Sequence, residues 1–124
     1  MKKLKTVEDC FKATGRDPKF LPEVSNLIEK DRKKVIADYK LTVVIEAINK
    51  SLPPDWSDSN EWKYYPRFWV EEDKAKPSGF GLSSDGYGHT HTYSLVVSRL
   101  TFRSLEGLKY AVKQFLELYE EVYL

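Results

Sequence analysis

One cysteine and two histidines are all the thiol and imidazole that these 124 residues contain. Cys10 has no second thiol to join, so no internal disulfide supports the fold, and this cysteine usage suits a reducing cytoplasm. So few soft ligands fall short of the three or four that a metal site takes, and no resident metal or cofactor is expected. No run approaches the ~18–20 apolar residues that cross a bilayer, so no membrane role is expected. The opening Met1-Lys2-Lys3-Leu4-Lys5 is basic but has no apolar stretch behind it, which predicts no secretory leader. A surplus of charge is missing too. Twenty Lys and Arg stand against 19 Asp and Glu, a net of +1, whereas a dedicated nucleic-acid binder carries a marked basic excess.

What the chain does have is apolar and aromatic content, 41% and 14% of its residues. A chain of this length buries roughly two-thirds of the surface that its unfolded form exposes. That predicts one ordered domain over residues 1–124, and it excludes intrinsic disorder. The charge is spread unevenly. Residues 1–50 hold 12 basic and 8 acidic side chains, and residues 51–124 hold 8 and 11.

The elements are read from period and punctuation. Thr6 with Asp9 three residues on forms a capping-box pattern, and Val7, Cys10, Phe11 and Thr14 follow at helical spacing. Gly15 suits the left-handed residue that ends such a helix, and Asp17-Pro18 marks the break. Residues 16–27 form a connector. A long helix is predicted from about Glu29 to Lys50, charged at first and apolar on nearly every side from Leu41 to Ile48. Ser51 and Pro53-Pro54 stop it. After a turn-rich segment at 51–61, Glu61–Glu72 reads as a strand. Trp62, Tyr64, Phe68 and Val70 share one side, and Lys63, Tyr65, Arg67, Trp69 and Glu71 share the other. Pro66 marks an edge strand or a bulge.

Gly79–Ser84 is predicted as a second short strand and Asp85–His89 as a flexible turn. Thr92–Phe102 reads as a central strand, apolar on both faces, with Val97 and Leu95 in the core. Ser104 caps a single amphipathic helix from Leu105 to about Val122. The expected fold class is therefore α+β. Two N-terminal helices precede a small antiparallel sheet of about three strands, and a C-terminal helix packs on that sheet.

Three constellations bear on function. His89-Thr90-His91 places two imidazoles close together, but two ligands do not make a metal site, and no nucleophile is tied to them. Gly79, Gly81, Gly86 and Gly88 lack the spacing of a phosphate loop and are read as hairpin positions. The aromatic stretch from Trp56 to Trp69 holds all three tryptophans. Its Lys63-x-Tyr65-x-Arg67-x-Trp69 alternation puts basic and aromatic groups on one strand face, which is expected to be the wet one, while Trp62, Tyr64, Phe68 and Val70 are expected to meet the helices. Such a face can anchor a protein partner or stack nucleic-acid bases. The carboxylates Glu71, Glu72 and Asp73 have no buried partner that would tune one of them for acid–base work. Cys10 is read as a core thiol.

The runs Trp62-Lys-Tyr-Tyr-Pro-Arg-Phe, Ser78-Gly-Phe-Gly and Ser98-Arg-Leu-Thr-Phe-Arg-Ser, with Leu21-Pro22-Glu23-Val24-Ser25 upstream, resemble a group of small proteins. These are encoded by phages, prophages and related mobile elements of gut Bacteroides-type bacteria. The resemblance covers nearly the whole chain. It implies an accessory protein of a mobile element acting in a bacterial cytoplasm, and it carries over no functional residue. The expected function is non-enzymatic binding of a protein or small ligand through Lys63, Tyr65, Arg67 and Trp69, with His89 and His91 nearby. The alternatives are a nucleic-acid-binding accessory protein and an enzyme with a site near the two histidines. No catalytic residue is assigned.

Overall fold

The structure, a computed structural model, describes residues 3–91 and 97–124, without the side chains of Ser84 and Asp85. The fold is α+β. Helix α1 spans Val7–Ala13. The Thr6 hydroxyl accepts from the Asp9 N–H at 3.1 Å, and the Asp9 carboxylate accepts from the Thr6 N–H at 3.1 Å. Gly15, at φ 75°, ends the helix. There the Gly15 N–H donates to the Lys12 carbonyl and the Arg16 N–H to that of Phe11, a Schellman turn that satisfies two terminal acceptors.

Helix α2 runs from Glu29 to Ile48. Its β-branched second half would also suit a strand. It is helical because Leu41, Val43, Val44, Ile45, Ala47 and Ile48 are all buried, and only a helix turns neighbouring residues toward partners on several sides. Those partners are α1 and the C-terminal helices described below. The chain leaves α2 through a second Schellman turn, in which Lys50 donates to the Ala47 carbonyl and Ser51 to that of Glu46. Here the left-handed positions fall on Lys50 and Ser51, at φ 58° and 60°, where no glycine is present.

Strand β1 covers Lys63–Glu72 and strand β2 covers Phe80–Thr90, paired antiparallel from Lys63 opposite Thr90 to Glu72 opposite Phe80. Gly79, at φ 83°, closes the turn between them. The register shifts between Arg67 and Phe68, leaving Asp85 as the extra residue of a bulge on β2. Asp85–His89 is thus not a turn, as the sequence suggests, but the middle of a long strand. Gly86, at φ 132°, takes up the bulge, and the ladder continues through Tyr87 and His89. On its other side β1 makes an isolated antiparallel bridge, Tyr64 to Phe102.

The expected central strand Thr92–Phe102 falls partly outside the described residues, and the expectation is corrected only over Ser98–Leu100. Residues 92–96, with Tyr93, Leu95 and Val96, lie outside the described residues. Ser98–Leu100 is a 3-10 turn, and among the described residues of this stretch the pairing is the bridge of Phe102 with Tyr64. Val97 is 66% exposed rather than core.

The C-terminal helix is two helices, α3 (Leu105–Gln114) and α4 (Leu116–Tyr123). Phe115, at φ −121° and ψ 31°, breaks the run between them. The break turns α4 so that Leu118 and Tyr119 are buried along with Leu108, Ala111, Val112 and Phe115. The Ser104 hydroxyl accepts from the Gly107 N–H at 3.0 Å, capping α3. Among the described residues no helix is long and apolar enough to cross a membrane.

Candidate functional site

The hairpin has two unlike faces. Opposed residues of an antiparallel pair share a face, so Tyr64 and Pro66 lie with His89 and Tyr87, and Phe68 continues that face. This face meets the helices. Pro66 is buried, and the Phe68 ring lies 5.3 Å from that of Tyr119 and 5.5 Å from that of Tyr123. Burial raises the Tyr119 phenol well above its ordinary pKa, with a smaller contribution from Tyr123, so it stays neutral. At the far end of this face the helices cover β2 but not β1, for Leu82, opposite Val70, is buried in the core. Val70 is 57% exposed, against the sequence expectation, because β1 extends past the helical layer there.

The other face carries Tyr65, Arg67, Trp69 and Glu71 from β1. Opposite them stand Gly88, Gly86, Ser83 and Gly81. These β2 residues are small, so the β1 side chains spread across the strand. The Tyr65 ring occupies the space above Gly88 so fully that a Cβ there would fall within it. An Arg67 Nη2 lies 3.6 Å from where a Cβ of Gly86 would stand. Glu71 accepts a hydrogen bond from the Ser83 hydroxyl at 3.0 Å. Tyr65 is half-buried by this packing, Arg67 is exposed, and Trp69 is 61% exposed. An indole that open, next to a guanidinium and a tyrosine, is an apolar patch with a polar margin.

Lys63 does not join them, and the expectation that it lines the surface is corrected. Its side chain has no solvent exposure. The ammonium donates to the carbonyls of Asp58 at 2.8 Å and His91 at 2.7 Å. It also stands 5.3 Å from the centre of the Trp56 ring and 3.9 Å from Glu61. A lysine can be buried only where its charge meets acceptors. Here it ties the 51–61 segment to the end of β2.

Trp62 faces the solvent more than expected, at 42% exposure. It does so because the two histidines cover only part of it. The His89 ring stands edge-on at 4.0 Å between centroids and the His91 ring tilts at 3.5 Å. His89 is exposed and His91 half-buried, its Nε2 without a hydrogen-bond partner among the described residues. The two histidines therefore pack on one indole. Among the described residues no three His, Cys, Asp or Glu side chains come together as metal ligands. Cys10 is fully buried in the core, where desolvation pushes its thiol up to about 12.

A cleft of about 680 Å³ escapes the sequence reading altogether. Lys30, Lys33 and Lys34 of α2 line it on one side and Glu117 and Glu121 of α4 on another, with Phe80 between. These groups are some ninety residues apart in the chain, and each run alone resembles an ordinary solvated helix face. Comparison with protein families, curated proteins and solved structures gives no match.

Proposed function

We propose that this chain is a non-enzymatic binding module that engages a protein partner through the outer face of its hairpin. The observation that carries this reading is the exposure of Trp69, 61%, beside Arg67 and Tyr65 on one strand face. Tryptophan, tyrosine and arginine dominate the energetics of protein interfaces, and an extended sheet face suits a partner better than a small molecule. The helices and the buried Lys63 latch serve as scaffold in this reading, and the hairpin as the recognition element. The resemblance to mobile-element proteins supports an accessory role in a bacterial cytoplasm.

Nucleic acid is the weaker alternative. With Lys63 withdrawn, the face keeps one cation among the described residues, Arg67, and Glu71 shares the face with it. That is little charge with which to displace counterions from a phosphate backbone. The test is a comparison of partners retained by the wild-type protein and by Trp69→Ala in extracts of a lysogenic or infected host. A partner held stoichiometrically by the first and lost by the second supports the proposal. Identical retention overturns it, and so does tight, salt-dependent binding of single-stranded oligonucleotides to both proteins.

A further inference from the structure

The outward edge of β1 is the other unexplained feature of the hairpin. The Tyr64 N–H donates to the Phe102 carbonyl at 2.9 Å, and the Phe102 N–H donates back at 2.8 Å. Tyr64 thus turns its backbone groups away from β2. Strand alternation turns those of Phe68 and Val70, and the carbonyl of Pro66, the same way. Among the described residues, the Tyr64–Phe102 pair supplies the only backbone bonds on that edge. The outer edge of β2 differs, for there the Leu82 N–H donates to Glu120 of α4 at 2.9 Å. Unprotected edges are templates for another strand. Arg67, Trp69, Val70, Glu71 and Glu72 are all exposed along this stretch.

We propose that the occupant of this edge is a second copy of the chain, its β1 antiparallel to the first across a two-fold axis at Trp69. The sequence of the strand is complementary to itself in that register. Arg67 of each copy faces Glu71 of the other, so unlike charges meet on both sides of the axis. The two Trp69 side chains meet at the centre, on the outer face. Phe68 of one copy opposes Val70 of the other and exchanges both backbone bonds with it. Pro66 falls at the end of the paired stretch, where its carbonyl accepts from Glu72 of the second copy and its missing N–H costs least. A register centred on Phe68 would instead put Arg67 against Trp69 and Tyr65 against Glu71, losing the charge match. The exposure of Val70 on the helix-bearing face shows that the layer beneath leaves this end of the strand open. The product is a continuous four-stranded antiparallel sheet with a doubled Tyr65–Arg67–Trp69 face. Such an interface is isologous, so it closes at the dimer.

This inference stands apart from the partner-binding reading, because its test reads the oligomeric state of the isolated chain and Val70→Pro leaves Trp69 and Arg67 in place. Sedimentation across micromolar to millimolar concentration is expected to show a dimer for the wild-type chain. Val70→Pro removes an edge N–H without touching the β2 ladder, and is expected to give a monomer with unchanged circular dichroism. Arg67→Glu is expected to weaken the dimer at least tenfold, and Arg67→Glu with Glu71→Arg to restore it. Opposed non-hydrogen-bonded residues have Cα atoms about 4.5 Å apart, within disulfide range. Trp69→Cys is therefore expected to oxidise to a covalent dimer, with Cys10 buried and uninvolved. A wild-type chain that is monomeric throughout, a dimer that survives Val70→Pro, or a Trp69→Cys protein that forms no interchain disulfide would each overturn the proposal.

Discussion

The Lys63 ammonium donates to the Asp58 carbonyl at 2.8 Å from a side chain that no solvent reaches. The contact joins the start of β1 to the loop before it, and the His91 carbonyl joins the end of β2 to the same nitrogen. A group chosen by the sequence pattern as part of a surface is thus a fastener inside it.

Lys63→Met is expected to destabilise the fold by about 2–4 kcal/mol, because it strands two carbonyls that a methionine cannot satisfy. Denaturant melts check this. A loss below about 0.5 kcal/mol would mean that water or a neighbouring donor replaces the ammonium.

Gly88→Ala is expected to cost about 1–3 kcal/mol, since the new methyl would occupy the place of the Tyr65 ring. The companion Tyr65→Ala, Gly88→Ala double variant is expected to lose less than the two single effects combined. Additive losses in a double-mutant cycle would show that the ring and the glycine are not coupled.

Lys50→Gly is expected to stabilise the protein by about 1 kcal/mol. Lys50 holds a left-handed conformation at φ 58°, and a side chain there crowds its own backbone. A rise in the urea midpoint with an unchanged slope is the expected reading. A fall would place the entropy gained by the unfolded glycine above the strain relieved.

Acid should loosen the packing of α1 against α2 through one carboxylate. Arg16 reaches Glu46 at 2.6 Å through Nη1, and Arg99 approaches it at 3.4 Å. The hydrogen bond from Arg16, and then the nearby charges, hold the Glu46 carboxyl below its ordinary value of 4.5 against a smaller effect of burial. A lowered folded pKa means that the pair's contribution is complete above that ordinary value. It is lost as pH falls through the lowered one. Glu46→Gln is therefore expected to reduce stability near neutral pH and to flatten the acid limb of the profile. Parallel profiles for the two proteins would contradict this.

Much of the chain's order is local and so was legible in the residues alone. Thr6, Asp9 and Gly15 define α1 because capping and left-handed termination involve atoms a few bonds apart. The end of α2 was legible in Ser51 and Pro53-Pro54, and the α+β class follows from where helical and alternating periods succeed one another. The strand from Lys63 to Glu72 was visible for the same reason, as was the exposure of Arg67 and Trp69 on one side of it. Tertiary contacts decided the rest. Lys63 shares its strand face with Trp69 and yet is buried, since the 51–61 loop closes over one end of β1 and leaves Trp69 at the other exposed. Gly86 and Gly88 resemble a turn until a bulge and the Tyr65 ring require them in a strand. Phe115 continues a helical pattern, and the break there goes with the burial of Leu118 and of Tyr119, whose ring packs on Phe68 of the sheet. Periodicity reports which side of an element is apolar. It does not report how far the neighbouring layer extends, and that extent determines which residues this protein leaves in solvent.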